Sequence, residues 1–252
     1  MLANYHTHTT RCKHAYGTER EYIEQAIKCG FKTLGFSEHV PFPDSYGFNP
    51  NMRMSIAELP DYTSTLVKLR EEYKNDIEIL IGYEVEYTPS HFEEVLKTLK
   101  QYPYDYIIQG QHFVEGDKCN DYAGDPTDSL EYFDDFVKTT IEGMRTGEFM
   151  YLAHPDLIKF TGDPEIFKKK IRPIIKEAAK LDIPLEINMY GFSDHRNYPN
   201  DNFWSMVPEY GAKVTLGCDA HRPEMIIQPK DVPGLREFVE KHGLMDLLIQ
   251  PF

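Results

Sequence analysis

The sequence has no run of about eighteen apolar residues, so no membrane-spanning helix is expected. It has only four cysteines, Cys12, Cys29, Cys119 and Cys218, with no CxxC pair, which excludes a disulfide framework in 252 residues. They read as reduced thiols. Cys12 and Cys218 lie beside histidine motifs, and for these two both a metal-ligand and a buried-thiol role stay open. Basic charge is also scarce: 27 Lys and Arg against 41 Asp and Glu leave a net charge of −14. That field repels phosphate backbones and anionic lipid, and no basic stripe offsets it, so neither nucleic acid nor membrane is an expected partner. Small or cationic ligands are favoured instead, and oligomeric state is not legible. The opening MLANYHTHTTRCKH lacks a charged leader and an apolar h-region, which gives a cytoplasmic expectation. Without repeats, low-complexity tracts or linkers, residues 1–252 are read as one domain around one large core.

What the chain does contain is a regular alternation. Short apolar runs at Leu2–Tyr5, Thr33–Phe36, Ile77–Ile81, Tyr104–Ile108, Phe149–Leu152, Pro184–Ile187 and Lys213–Leu216 read as strands. Helical periods separate them, the pattern of βα units around a parallel sheet covered on both faces. Capping boxes mark helix starts at Thr18 with Glu21, Ser55 with Glu58 and Ser90 with Glu93, and Asp163 before Pro164 opens a fourth. Apolar stripes agree, as in Leu59, Tyr62, Leu66, Leu69 and Tyr73, or Phe133, Phe136, Val137, Ile141 and Met144. Pro173 is expected to kink the fifth helix. The stretch from Val40 to Met54 reads as a loop lying over something.

The ten histidines carry the main signal. His6 and His8 close the first strand, His39 follows the second, Glu84 and Glu86 the third, His112 the fourth, His154 the fifth, and Asp219 with His221 the seventh. Carboxyl ends of parallel barrel strands converge on one mouth, so these residues, with His14 in the first loop, become neighbours. His6 and His8, two apart on a strand, share a face, as do Asp219 and His221. Imidazole mixed with carboxylate suits Zn²⁺, Mn²⁺ or Fe²⁺ better than Mg²⁺ or Ca²⁺. Nine donors exceed one closed site, implying two or three ions with a bridging carboxylate. Among the remaining histidines, His91 and His242 receive no role, and His195 stays open near the mouth.

These motifs resemble the polymerase and histidinol phosphatase (PHP) superfamily. The resemblance spans the chain, through HisThrHisThr and CysLysHisAla (6–15), GlyPheSerGluHis (35–39), GlyTyrGluValGluTyr (82–87), TyrAspTyrIleIle before His112, AlaHisProAspLeuIleLys (153–159), GluIleAsn (186–188) and CysAspAlaHisArgProGlu (218–224). It implies an α/β fold, a distorted TIM-like (β/α)7 barrel, with a trinuclear centre of divalent ions. His6, His8, Glu84 and Asp219 would hold one metal, Glu84, His112 and His154 a second, and His14, His39 and His221 a third. Glu86 is the odd carboxylate out. Gln111 stands where relatives often carry a small residue, which leaves the packing there open.

Paired ions activate a water for attack on phosphorus and neutralise the phosphoryl oxygens, so the implied reaction is hydrolysis of a small phosphate monoester, histidinol phosphate. Asp219 and His221 are the catalytic candidates, and the proton donor to the leaving alcohol is left open. Arg53, Lys159, Arg196 and Arg222 are candidate phosphate clamps, with Arg53 and Arg196 preferred because their loops should overhang the mouth. Two rival readings are a phosphoesterase of the same superfamily acting on nucleotides or nucleic acid, and a binding module with structural ions. A basic groove with stacking aromatics would favour the first, and a closed, cysteine-rich site the second.

Overall fold

Parallel pairing starts between β1 (Ala3–Asn4) and β2 (Thr33–His39) and continues through β3 (Glu78–Val85) to β4 (Tyr106–Gln109). β5 (Leu185–Asn188) and β6 (Val214–Gly217) make a second parallel pair. Single-residue parallel bridges join the two sets. Leu152 pairs with Gln109 on one side and Leu185 on the other, and Thr7 pairs with Ala220, so seven segments form a closed ring. This is the distorted barrel expected from the βα alternation. The computed structural model describes residues 1–47, 50–114 and 121–252, so Cys119 and part of the Val40–Met54 loop lie outside the described residues.

The helices α1 (Glu19–Lys28), α2 (Leu59–Glu72), α3 (Phe92–Leu99), α4 (Leu130–Arg145) and α5 (Pro164–Leu181) fill the connections between strands. The capping box of Thr18 with Glu21 opens α1, and that of Ser55 with Glu58 forms on a 3-10 turn that leads into α2. The third box is a correction: His91, not Ser90, takes the N-cap position of α3. α5 runs through Pro173 as one helix of 18 residues.

Two strand expectations are also corrected. β2 and β3 run on to His39 and Val85, because their ladder continues through the pair His39 with Glu84. These donors are therefore held by sheet hydrogen bonds rather than by loops. The fifth strand shrinks to the bridge at Leu152, since two residues later His154 enters the left-handed region at φ +28° before Pro155.

Strand alternation separates two layers of packing. Ile79, Ile81, Tyr83 and Val85 face the helices and join the main core, where Tyr62 of α2 meets Tyr83. Leu80 lies on the other face with Tyr5, Tyr106, Ile108, Tyr151 and Ala153, a small cluster inside the barrel. Gly82 and Glu84 continue along that inner face, so the barrel axis runs from a plug of tyrosines to the charged mouth.

Candidate metal centre

Glu84 stands between five imidazoles. Its Oε1 is 2.7 Å from His154 Nε2 and 3.6 Å from His112 Nε2. Its Oε2 is 2.9 Å from His39 Nδ1, 3.5 Å from His8 Nε2 and 3.6 Å from His6 Nε2. Asp219 Oδ1 lies 3.1 Å from His8 Nε2, 3.4 Å from His6 Nε2 and 3.5 Å from His221 Nδ1. Donor atoms of His6, His8 and Asp219 come within 4.8 Å of one another, as do those of His6, Glu84 and His154, of His8, His39 and Glu84, and of His14, His39 and His221. The nine donors expected at the mouth are thus brought together, with His112 joined through Glu84. Cys12 meets the same limit with His8 and His221. Cys218 instead faces the Ile227 carbonyl with its thiol, at 3.7 Å.

The hydrogen bonds around the cluster decide which ring nitrogen is free. His6 Nδ1 is 2.8 Å from Glu186 Oε1, His14 Nδ1 is 2.8 Å from the Cys12 carbonyl, and His221 Nδ1 is 3.0 Å from the Asp219 carbonyl. A proton on each Nδ1 leaves Nε2 with a bare lone pair, the arrangement metal-binding imidazoles need. His8 leans its Nδ1 on Glu38 at 3.5 Å. Among the described residues, Nε2 of His6, His8 and His221, Oε2 of Glu84 and Oδ1 of Asp219 are buried and find no hydrogen-bond partner. Such atoms are expensive to bury without a partner. Divalent ions would satisfy all of them at once, so the donor set fits the metals that the motifs imply.

Electrostatics agree. Burial alone would raise the Glu84 carboxyl, but His39, His112, His6 and His154 hold it well below the usual carboxylate range. Asp219 is likewise held low, burial being outweighed by His6, His8 and His221. Burial pushes His221 down to about 3, helped by positive charge on His8. His39 is driven well below an ordinary histidine by the same desolvation, against the pull of Glu84. His6 and His8 move the other way. Desolvation opposes it, but Glu186, Asp219 and Glu84 raise His6, and Asp219 with Glu38 carry His8 to about 9.

Around the donors is a second layer. Glu38 accepts from the backbone N–H groups of Thr9 and His39, at 2.8 and 2.9 Å. Glu186 accepts from His154 N at 3.1 Å and from Asn188, whose amide also reaches Asp219 Oδ2 at 3.0 Å. Glu86, the carboxylate without a place, sits 3.5 Å behind His112 Nδ1 and accepts from Phe113 N at 3.0 Å. Its cation is Arg53, which is 2% exposed, also donates to the Val40 carbonyl at 2.8 Å, and lies over the Phe42 ring. The structure therefore commits Arg53 to Glu86 instead of bringing it to the mouth, a correction to its expected place as a clamp. Gln111 turns its amide to the carbonyls of Tyr87 and Phe113, at 3.1 and 2.6 Å, which fills the position left open. The residue before it is Gly110, where a Cβ would fall 1.9 Å from Glu84 Oε1.

A cavity of about 230 Å³ opens on the cluster, lined by His14, His39, Glu84, His112, Asp219 and His221, by Asn51 and Met52, and by Tyr122, Tyr190, Arg196 and Tyr198. Arg196 donates to Tyr190 Oη at 2.6 Å, Tyr198 Oη at 3.2 Å and Asp194 at 3.1 Å. Lys159 is exposed and lines an adjoining hollow shared with Tyr122, Arg196 and Tyr198. Arg222 is exposed, paired with Glu224 at 3.3 Å, and absent from the cavity wall. No role for Glu38, Glu186 or the three tyrosines is expected from residue order alone. Glu38 and Glu186 could have been found in SerGluHis and GluIleAsn, beside the strand ends. The tyrosines have no such signal among 17 in the chain.

Among known families, the PHP domain matches residues 4–190. A probable histidinol-phosphatase of Deinococcus radiodurans is 27% identical over 228 residues, covering 88% of this chain and 87% of the relative. A histidinol-phosphatase of Bacillus subtilis is 35% identical over 126 residues, covering 46% of this chain and 47% of its own length. Among solved structures, the histidinol phosphate phosphatase of Lactococcus lactis in complex with zinc, L-histidinol and phosphate superposes with a TM-score of 0.73 at 20% identity, covering 96% of this chain and 94% of that one. A putative histidinol phosphatase of Listeria monocytogenes gives 0.71 at 22% identity, covering 89% and 97%.

Proposed function

The chain belongs to the PHP domain family, and from that premise we propose that it hydrolyses L-histidinol phosphate to L-histidinol and inorganic phosphate with divalent metal ions. The observation that carries this reading is the cluster of buried, unpartnered nitrogens and carboxylate oxygens opening on a cavity that also holds an arginine. Relatives named for this activity along nearly the whole chain support the substrate. Three ions are the proposed complement, zinc or manganese or iron, on His6, His8, Glu84 and Asp219, on Glu84, His112 and His154, and on His14, His39 and His221. When bound, such ions supply Lewis acidity that draws charge from the phosphoryl oxygens and acidifies an attacking water.

The protein's own groups do the rest. Arg196, braced by Tyr190 and Tyr198, presents its guanidinium to a phosphoryl group as a fork. Burial pushes Tyr122 up to about 12, so its hydroxyl remains a neutral donor on the cavity wall. Asp219, steadied by Asn188, is our candidate for the carboxylate that would take a proton from the attacking water and pass it to the leaving alcohol. His221, neutral down to about pH 3, serves as a donor to metal. Lys159 stands one hollow away, available to a longer substrate.

The test is phosphate release from histidinol phosphate and from a panel of nucleotides, using protein loaded with zinc or manganese. Fastest turnover of histidinol phosphate is expected. Faster turnover of nucleotides would replace the substrate, and no release from any ester would reject the phosphatase reading.

A further inference from the structure

The turn that carries His154 also carries Asp156, and the two side chains find partners on different elements. His154 enters it at φ +28°, a backbone conformation rare outside glycine. The turn is held at one end by Glu186, which accepts from His154 N at 3.1 Å, while the His154 ring meets Glu84. Two residues on, Asp156 is 1% exposed and points away from the donors. Its Oδ2 accepts from the backbone N–H of Asn200 and, at 3.0 Å, from the indole N–H of Trp204. Asn197 adds a bond from its amide to the Leu157 carbonyl at 2.8 Å.

These bonds tie residues 197–204 to the His154 turn. The same stretch of chain carries Arg196 and Tyr198, both on the wall of the cavity, with Tyr198 Oη accepting from Arg196 at 3.2 Å. The two donors to Asp156 Oδ2 are neutral, and burying a carboxyl group against neutral donors is a poor choice for stability alone. It is a good choice for precision, because one oxygen gathers two hydrogen bonds from two directions.

We propose that Asp156 is a positioning residue that sets Arg196 and Tyr198 over the metal centre by clamping residues 197–204 to the His154 turn. The effect on substrate rests on the phosphatase reading, whereas the effect on phosphate binding does not. The sequence contains one tryptophan, Trp204, so its fluorescence reports the clamp directly.

In zinc-loaded Asp156→Ala, the dissociation constant of inorganic phosphate, measured by calorimetry, rises roughly ten-fold, as does KM for histidinol phosphate. The expected loss in kcat is smaller, the zinc content is unchanged, and Trp204 emission moves to the red. Asp156→Asn keeps an acceptor oxygen and restores most of the phosphate affinity, and Trp204→Phe, which removes one donor, falls between. These two variants carry the test if Asp156→Ala does not fold. Wild-type phosphate affinity in Trp204→Phe, affinity in Asp156→Asn as low as in Asp156→Ala, or wild-type affinity in an Asp156→Ala with shifted Trp204 emission, overturns the proposal. So does a loss of zinc that parallels the loss of phosphate affinity, which would place the action at His154. A wild type inert toward histidinol phosphate would remove the substrate reading and leave phosphate affinity to decide the role of Asp156.

Discussion

A single side chain, Glu84, receives both oxygens' worth of contacts from five imidazoles, and its charge is what makes the cluster a cation site. Glu84→Gln keeps the shape and removes the charge. We expect metal content to fall and kcat/KM to drop about a thousand-fold, since several kcal/mol of charge stabilisation leave with the ions. Elemental analysis beside steady-state kinetics checks both, and full metal content in the variant would contradict the bridging role. The two arginines preferred as clamps now separate. Arg53→Met strands the buried Glu86 carboxylate and should destabilise the fold by about 3–5 kcal/mol in chemical denaturation. Arg196→Ala should leave the unfolding midpoint almost unchanged and raise KM, with a smaller loss of kcat if the guanidinium grips ground state and transition state alike. Wild-type kinetics in that variant would remove Arg196 from the substrate site. Sequence alone could not make this distinction, because both arginines sit in loops after strands and only their partners differ.

At the scale of elements, two glycines explain why the inner face of the sheet is shaped as it is. A Cβ at Gly35 would lie 2.2 Å from the Tyr106 hydroxyl, and one at Gly82 would lie 2.5 Å from its ring. Tyr106 fills the barrel there and donates to the Tyr5 carbonyl at 2.7 Å. Gly82→Ala should therefore overpack the barrel and cost about 1–3 kcal/mol in a denaturant titration, a loss that an ordinary strand glycine would not show. A stability gain would mean that Tyr106 can move aside freely. Strand ends were harder to read than strand cores. The apolar runs at 33–36 and 77–81 stop where polar residues begin, yet β2 and β3 continue, because parallel pairing of His39 with Glu84 holds polar residues in the ladder. The run at 149–152 is as apolar as the others, but His154 and Pro155 turn the chain before a ladder can form.

For the whole molecule, the ring closes through a few long-range contacts, Thr7 with Ala220 at the mouth and Gln250 at the other end, where its side chain accepts from Ala3 N at 2.8 Å. The centre joins first and last segments, so bound metal should act as a brace as well as a reagent. Chelation should abolish phosphatase activity and lower the melting temperature, and zinc or manganese should restore both. An unchanged melting temperature on chelation, with the metal shown to be gone, would limit the ions to chemistry. The amino-acid order by itself determined the alternation of strand and helix and placed imidazoles and carboxylates at strand ends. That much is legible because strand periodicity is local and parallel barrel topology carries those ends to one mouth. Only the tertiary structure decided that Arg53 serves Glu86, that Arg196 and three tyrosines wall the cavity, and that Asp156 reaches Trp204. Those pairings join loops far apart in the chain, and loop courses follow from mutual burial and hydrogen bonding, which leave no period in the sequence to read.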